Sequence, residues 1–283
     1  MTAIKPSTSP RTGPPPPQQA EVIEDPLATT FELGSQQDDG VVWRILVGLP
    51  NVPAPVEGYS AFISTDGNAT FPVLWHQREQ LAPEAPVALI GIGYPCSTRF
   101  DQARRWYDLT SPHMVQPAAE PSRGPGDHRT GGREALLDMV QTLLLPALKQ
   151  RIPLNMSNLT LYGHSLGGLF TVHAMLTRPR LFTRYVAADP STWWNSGEIV
   201  REARVFLGGV AAAGGRVTPR TSLWICQSGA WNGAKANRPA PHDLVSSLGG
   251  VEGLHVTLTE YPDETHGSLI EPSLAQTLLL HVT

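Results

Sequence analysis

The sequence predicts an α/β fold in which helices flank a mainly parallel central sheet. Strand-like and helical segments alternate through the second half of the chain, as they do in βαβ units. The run 86–94 (PVALIGIGY) is almost continuously apolar, which is typical of a strand buried on both faces. Around residues 159–177, a strand, a sharp glycine-containing turn and a helix follow one another directly.

The individual elements follow from the hydrophobic period and the turn residues. The first half predicts strands at 28–33, 41–50, 58–65 and 86–94 and a helix at 71–82. The second half predicts helices at 133–150 and 168–179 and strands at 158–163, 184–189, 222–227 and 254–261. The stretch 95–132 is irregular and rich in Arg, Pro and Gly, so a lid or a substrate loop is expected there.

Length and composition indicate one soluble globular domain. The chain has 283 residues, of which 41% are apolar, and we expect a single domain at 26–283 after a disordered Pro-rich leader at 1–25. A net charge of −4 gives no support for a nucleic-acid partner. No apolar run suits a signal peptide or a membrane span, which predicts a cytoplasmic protein without a membrane partner.

The sequence around Ser165 indicates a catalytic serine. Gly163-His-Ser165-Leu-Gly167 has the Gly-x-Ser-x-Gly spacing and lies at a predicted strand–helix junction, which is the nucleophile elbow of α/β-hydrolases. The small residues allow strand and helix to approach, and the helix N-terminus presents N–H groups to a developing oxyanion. A turn with an unreactive serine is the alternative.

A serine nucleophile needs a base, and His266 stands where an α/β-hydrolase carries one, in a polar turn after the last predicted strand. The residue that orients the histidine is left open. An acid is expected after the strand 222–227, yet no Asp or Glu occurs from residue 224 to 242. Asn232, Asp189 and Asp243 are the candidates, and a serine–histidine dyad is a further possibility.

Two backbone N–H groups are expected to bind the oxyanion. One belongs to Leu166, which follows the serine, and the other to Asn68 in the TDGN turn after the third strand. The nine histidines show no metal-ligand spacing, so neither a metal nor another cofactor is expected. Cys96 and Cys226 form no disulfide framework.

Several longer motifs carry a family resemblance. The segments 162–195 (YGHSLGGLFTVHAMLTRPRLFTRYVAADPSTWWN), TDGNATFP, IGIGYP, RRWYDLT, GGREALL and DETHGSL all occur in the chain. They resemble the esterase-D-like esterases of the α/β-hydrolase superfamily, and within them the esterases of catecholate siderophores such as enterobactin, salmochelin and bacillibactin. The resemblance runs from about Phe31 to the C-terminus.

The resemblance implies roles for particular residues. Ser165 matches the nucleophile and His266 the base, while Arg105 lies in an Arg-x-x-Asp-x-Thr loop that borders the active site. The family's Ser-Pro-Ser-x-Trp-Trp segment begins here with Asp189, and the carboxylate usual near Trp231 is missing. The substrate-binding residues expected for an anionic, aromatic siderophore are Arg104, Arg105, Trp193 and Trp194.

Ser165 and His266 predict a serine esterase, and the resemblance implies that it cleaves the trilactone of a catecholate siderophore such as ferric enterobactin and so releases iron. A general carboxylesterase or thioesterase is one alternative. A ligand-binding protein that keeps the hydrolase fold without catalysis is the other.

Overall fold

The computed structural model describes residues 18–34, 40–114, 124–229 and 241–282. Eight strands within these ranges form one sheet: β1 (Ala28–Gly34), β2 (Val42–Gly48), β3 (Tyr59–Ser64), β4 (Val87–Gly93), β5 (Leu154–His164), β6 (Arg184–Ala188), β7 (Arg216–Ser228) and β8 (Glu252–Tyr261). Their order is β1-β2-β4-β3-β5-β6-β7-β8. The pairs β1/β2 and β2/β4 are antiparallel and all other pairs are parallel, so the sheet is mainly parallel, as the sequence predicted.

The helices cover both faces of the sheet. They are α1 (Gly67–Leu81), α2 (Gln102–Asp108), α3 (Arg133–Met139), α4 (Leu145–Arg151), α5 (Leu166–Thr177), α6 (Glu198–Ala212), α7 (Pro241–Leu248) and α8 (Ile270–Val282). A π-helical turn, Val140–Leu144, joins α3 to α4 just before Pro146, which cannot donate a backbone hydrogen bond.

Two hydrophobic cores lie on opposite faces of the sheet because successive strand residues point to opposite sides. Phe62 and Leu89 pack on one side in the same core as residues of α1 and α8. Ile63 and Ile90, their chain neighbours, pack on the other side in the core that contains α3 and α5. Burial on both faces explains why β4 is a continuous apolar run.

Three regions differ in detail from the expectation. The stretch 95–132 contains a helix, α2, among its described residues. Helix α1 begins at Gly67, four residues before the predicted start. Residues 18–25, which the sequence placed in the leader, contact the domain: Ala20 N–H donates to the Ser97 carbonyl and Arg99 N–H to the Gln18 carbonyl. The division into leader and single domain stays a prediction.

Candidate active site

Ser165 lies on a sharp turn between β5 and α5. Its backbone has φ 61° and ψ −114°, outside the ordinary allowed regions for a residue with a side chain. The turn is held by hydrogen bonds from Ser165 N–H to the Ala188 carbonyl (2.9 Å) and from Ser191 N–H to the Ser165 carbonyl (3.0 Å). A strained serine held from two sides fits the nucleophile elbow that the sequence predicted.

The glycines beside Ser165 are required by packing. A Cβ on Gly163 would lie 2.1 Å from the carbonyl oxygen of Gly167, and one on Gly167 would lie 2.3 Å from Thr65 Oγ1. Real Cβ atoms do not approach other atoms so closely. Strand β5, helix α5 and the turn after β3 can therefore meet at this point only without side chains at 163 and 167.

His266 reaches Ser165 from the segment between β8 and α8. Its Nε2 is 3.1 Å from Ser165 Oγ, and its Nδ1 is 3.1 Å from Asp189 Oδ2. A carboxylate only accepts, so Nδ1 carries the proton and Nε2 accepts from the serine hydroxyl. The His266 side chain is 55% exposed, so the base lies at the protein surface.

Asp189 follows the last residue of β6 and is the candidate that the structure places against His266. Its side chain is 6% exposed, and Ser228 donates to it from the backbone N–H (2.7 Å) and from the hydroxyl (2.5 Å). Burial alone would raise the pKa of this carboxyl, but the hydrogen bonds from His266 and Ser228 outweigh it and lower the pKa. Asp189 is therefore an anion able to stabilise a protonated His266.

The other two orienting candidates are placed differently. Asp243 lies in the first turn of α7, and its carbonyl accepts a hydrogen bond from the Ser247 hydroxyl. Asn232 lies outside the described residues.

Comparison with known proteins now assigns a family. The family model described as "Putative esterase" matches residues 42–240. The chain belongs to this esterase family. The predicted α/β-hydrolase fold and the predicted class, carboxylic ester hydrolase, are confirmed at the level of the family.

Individual relatives of this esterase carry siderophore names. A siderophore triacetylfusarinine C esterase of Aspergillus fumigatus is 30% identical over 243 residues, covering 76% of this chain and 78% of the relative. A siderophore enterobactin esterase of Emericella nidulans is 36% identical over 160 residues, covering 54% of this chain and about half (52%) of the relative. The solved siderophore hydrolase EstB of Aspergillus nidulans matches with a TM-score of 0.73 at 27% identity, over 91% of this chain and 95% of that one.

The expected oxyanion donors sit at two helix N-termini. Leu166 is the first residue of α5 and Asn68 the second residue of α1, so their backbone N–H groups are among those that have no partner within a helix. The side chain of Asn68 is occupied elsewhere. It accepts from Tyr94 N–H (2.8 Å) and donates to the Tyr94 carbonyl (3.0 Å), which ties the start of α1 to the end of β4.

His164, the residue before the serine, was not singled out by the sequence analysis. Its Nε2 donates to the carbonyl oxygen of His266 at 2.7 Å, and the two rings lie 4.5 Å apart. Burial and the neighbouring His266 lower the pKa of His164 to about 3, so it is neutral at physiological pH. Its position inside the Gly-x-Ser-x-Gly motif was the only available signal.

One group of possible metal ligands occurs among the described residues. The ligand atoms of His164, Asp189 and His266 lie within 4.8 Å of one another. The two ring nitrogens of His266 already contact Asp189 and Ser165, and His164 donates to the backbone carbonyl of His266, so these polar atoms have partners within the protein. The expected absence of a metal remains a prediction.

The two arginines expected to bind substrate are engaged within the protein. Arg104 donates to the Val42 carbonyl (2.8 Å) and to Asp108 (3.0 Å) and is 20% exposed. Arg105 is 11% exposed and donates to both carboxylate oxygens of Asp66, each at 3.1 Å. These contacts favour structural roles, and substrate binding by the two residues stays a prediction.

The two expected tryptophans differ in exposure. Trp194 is 1% exposed, and its Nε1 donates to Ser111 Oγ at 2.9 Å, so it belongs to the core. Trp193 is half-buried and packs edge-on against Trp106 at 6.5 Å. It stands two residues after Ser191, whose hydroxyl is 3.4 Å from that of Ser165. Trp193 is thus the more exposed of the pair, and substrate binding by either ring stays a prediction.

Proposed function

We propose that this chain is a serine esterase that hydrolyses the ester bonds of a siderophore. The observation that carries the proposal is the position of His266, whose two ring nitrogens lie 3.1 Å from Ser165 Oγ and 3.1 Å from Asp189 Oδ2. The siderophore names of the relatives support the substrate class.

Each group has a role in the proposed reaction. Ser165 Oγ attacks the ester carbonyl while His266 Nε2 takes the hydroxyl proton, and Asp189 stabilises the resulting imidazolium. The N–H groups of Leu166 and Asn68 bind the oxyanion. The tetrahedral intermediate collapses, His266 protonates the leaving alkoxide, and water activated by His266 then hydrolyses the acyl-enzyme.

The specific substrate that we propose is the trilactone of a catecholate siderophore such as ferric enterobactin. Ester cleavage would weaken the chelate and release iron, which is cargo here and not a cofactor. The exposure of His266 leaves space for a large molecule, and Trp193 offers an aromatic surface next to the serine segment.

The proposal places this reaction in the cytoplasm, as the sequence analysis expected. Within the described ranges, no helix combines the length and apolarity that a bilayer span requires.

The test is a chromatographic time course of the purified protein with ferric and with iron-free enterobactin, beside Ser165→Ala. Hydrolysis products from the wild type alone support the proposal. An intact trilactone together with fast hydrolysis of p-nitrophenyl butyrate would show a general carboxylesterase. An intact trilactone without labelling of Ser165 by a fluorophosphonate would indicate a hydrolase fold that only binds ligands.

A further inference from the structure

We infer that Arg105 is a positioning residue for the oxyanion-binding turn, which it holds through Asp66; this inference rests on the proposed function. The sequence and the family resemblance point to Arg105 as a substrate contact. Its contacts in the structure indicate a different task.

Asp66 is the residue whose conformation places Asn68. It lies between β3 and α1 with φ 52° and ψ 43°, in the left-handed region that residues with side chains seldom adopt. Its carbonyl accepts from Ala69 N–H (2.8 Å) and Thr70 N–H (3.1 Å), so the first turn of α1 is built directly on it. Any rotation of Asp66 moves the N–H of Asn68, two residues along.

The carboxylate of Asp66 binds Arg105 instead of capping helix α1. Aspartate at a helix N-cap normally accepts from its own helix, but Asp66 makes no such bond. Both of its oxygens accept instead from Arg105, at Nε and at Nη2. A bidentate arginine fork fixes the orientation of a carboxylate more strictly than a single bond does.

The ion pair is buried beside the nucleophile elbow. The side chains of Asp66 and Arg105 are 3% and 11% exposed. Burial alone would lower the pKa of Arg105, but the charge and hydrogen bonds of Asp66 outweigh it and raise the pKa, so Arg105 stays charged. A Cβ on Gly167 would lie 3.6 Å from Asp66 Oδ2, which shows how closely the pair approaches the turn that carries Ser165.

The two roles of Arg105 predict different kinetics. A substrate contact would affect KM for an anionic siderophore and spare a neutral ester. A positioning residue acts on the transition state of every ester, because all of them develop the same oxyanion. Misplacing a reacting or stabilising group by about 1 Å can cost about 10²-fold in rate.

The experiment compares Arg105→Ala, Arg105→Lys and Asp66→Asn on p-nitrophenyl butyrate and on ferric enterobactin. Asparagine tolerates the left-handed conformation as aspartate does, so Asp66→Asn removes the charge with the backbone kept. The matched control is Arg216→Ala, which breaks an ion pair between Arg216 and Glu252 (3.2 Å). Arg216 is the first residue of β7, at the opposite end of the sheet from the site. Both side chains of this pair are more than half exposed.

We expect kcat to fall by about 10- to 100-fold on both esters in Arg105→Ala and Asp66→Asn, with KM changed by less than about threefold. Arg105→Lys keeps the charge but loses the bidentate fork, so its kcat should lie between those of the wild type and of Arg105→Ala. The double variant Asp66→Asn/Arg105→Ala should be no slower than the slower of its two single variants, because each single substitution already breaks the same ion pair. Arg216→Ala should match the wild type.

Other outcomes overturn the inference. They are a loss confined to ferric enterobactin, a change only in KM, or additive losses in the double variant. Circular dichroism and the Tm show which variants are folded. If Arg105→Ala does not fold, the kinetics of Arg105→Lys and Asp66→Asn on the two esters test the inference. A wild type that hydrolyses neither ester overturns the proposed function itself, whereas failure of the inference alone leaves the wild type active.

Discussion

Ser228 donates two hydrogen bonds to the carboxylate of Asp189, one to each oxygen. Ser228 is the last residue of β7, and Asp189 follows the last residue of β6. An acid was expected after β7, but the end of β7 supplies hydrogen-bond donors instead. The acid, Asp189, follows the neighbouring strand β6. Because Oδ2 also accepts from His266, one buried carboxylate connects the ends of β6 and β7 with the segment between β8 and α8.

Replacing Asp189 by asparagine tests this arrangement. Asp189→Asn should lower kcat by about 10²- to 10⁴-fold with little change in KM, because an amide neither stabilises the imidazolium nor enforces the correct tautomer. The measurement is steady-state kinetics on p-nitrophenyl butyrate. Asp243→Asn tests the other acidic candidate in parallel, and a comparable loss there with an active Asp189→Asn would contradict the assignment.

His164 should support His266 without exchanging a proton. His164→Phe keeps a ring of similar size but removes the donor to the His266 carbonyl, so we expect kcat to fall by about tenfold. His164→Gln, which can still donate, should recover part of the loss. A His164→Phe enzyme at full wild-type rate would show that this hydrogen bond does not position His266.

The elbow was predictable from sequence because its requirements are local. Gly163, Ser165 and Gly167 are close in the chain, and their spacing at a predicted strand–helix junction indicates a sharp, strained turn. The position of His266 followed from the order of strands. The mainly parallel sheet likewise followed from apolar runs that need two covered faces.

The partners of Asp189 and Arg105 were not predictable in the same way. Ser228 lies 39 residues after Asp189, and Asp66 lies 39 residues before Arg105, so both contacts exist only in the folded chain. A count of arginines in the stretch 95–132 gives no sign of whether a guanidinium faces solvent or a buried carboxylate. The composition therefore favoured substrate binding where the structure shows an internal ion pair.

The elbow glycines should not tolerate a methyl group. Gly163→Ala places a Cβ 2.1 Å from a backbone oxygen, and we expect a loss of at least about 2 kcal/mol in the free energy of unfolding. Gly208→Ala is the matched control, since Gly208 lies inside α6 and a Cβ there would meet no atom within 4 Å, and it should gain about 0.5–1 kcal/mol. Urea titrations of both variants and of the wild type measure these changes in the free energy of unfolding. Equal stabilities would contradict the close packing of β5 on α5.

His173 should make stability depend on pH. Burial alone would lower its pKa, but its contacts with Glu134 (2.7 Å) and Glu202 (2.7 Å) outweigh it and raise the pKa above the ordinary 6.5. The stabilisation is thus fully present below pH 6.5 and is lost as the pH rises through the raised value. Arg133 and Arg178 also face these carboxylates, at Glu202 and Glu134 respectively.

The variant His173→Gln therefore should lose more stability at about pH 6 than at about pH 9. Thermal unfolding of the wild type and of His173→Gln at both pH values measures the gap between their Tm values. This gap should be smaller at the higher pH. A gap that is constant or widens with pH would mean that His173 is not held in its charged form by the two glutamates.

Trp193 should contribute to binding of an aromatic siderophore and not to the chemistry. Trp193→Ala removes a half-buried ring beside the serine segment, so we expect KM for ferric enterobactin to rise by about 3- to 10-fold, the value of one aromatic contact. Turnover of p-nitrophenyl butyrate should change by less than about twofold, and Trp193→Phe should restore most of the affinity. Trp194→Ala should instead destabilise the fold by about 3–5 kcal/mol, because that ring is buried and hydrogen-bonded to Ser111. If Trp193→Ala slowed both esters equally, its ring would be supporting the 189–196 segment rather than contacting the substrate.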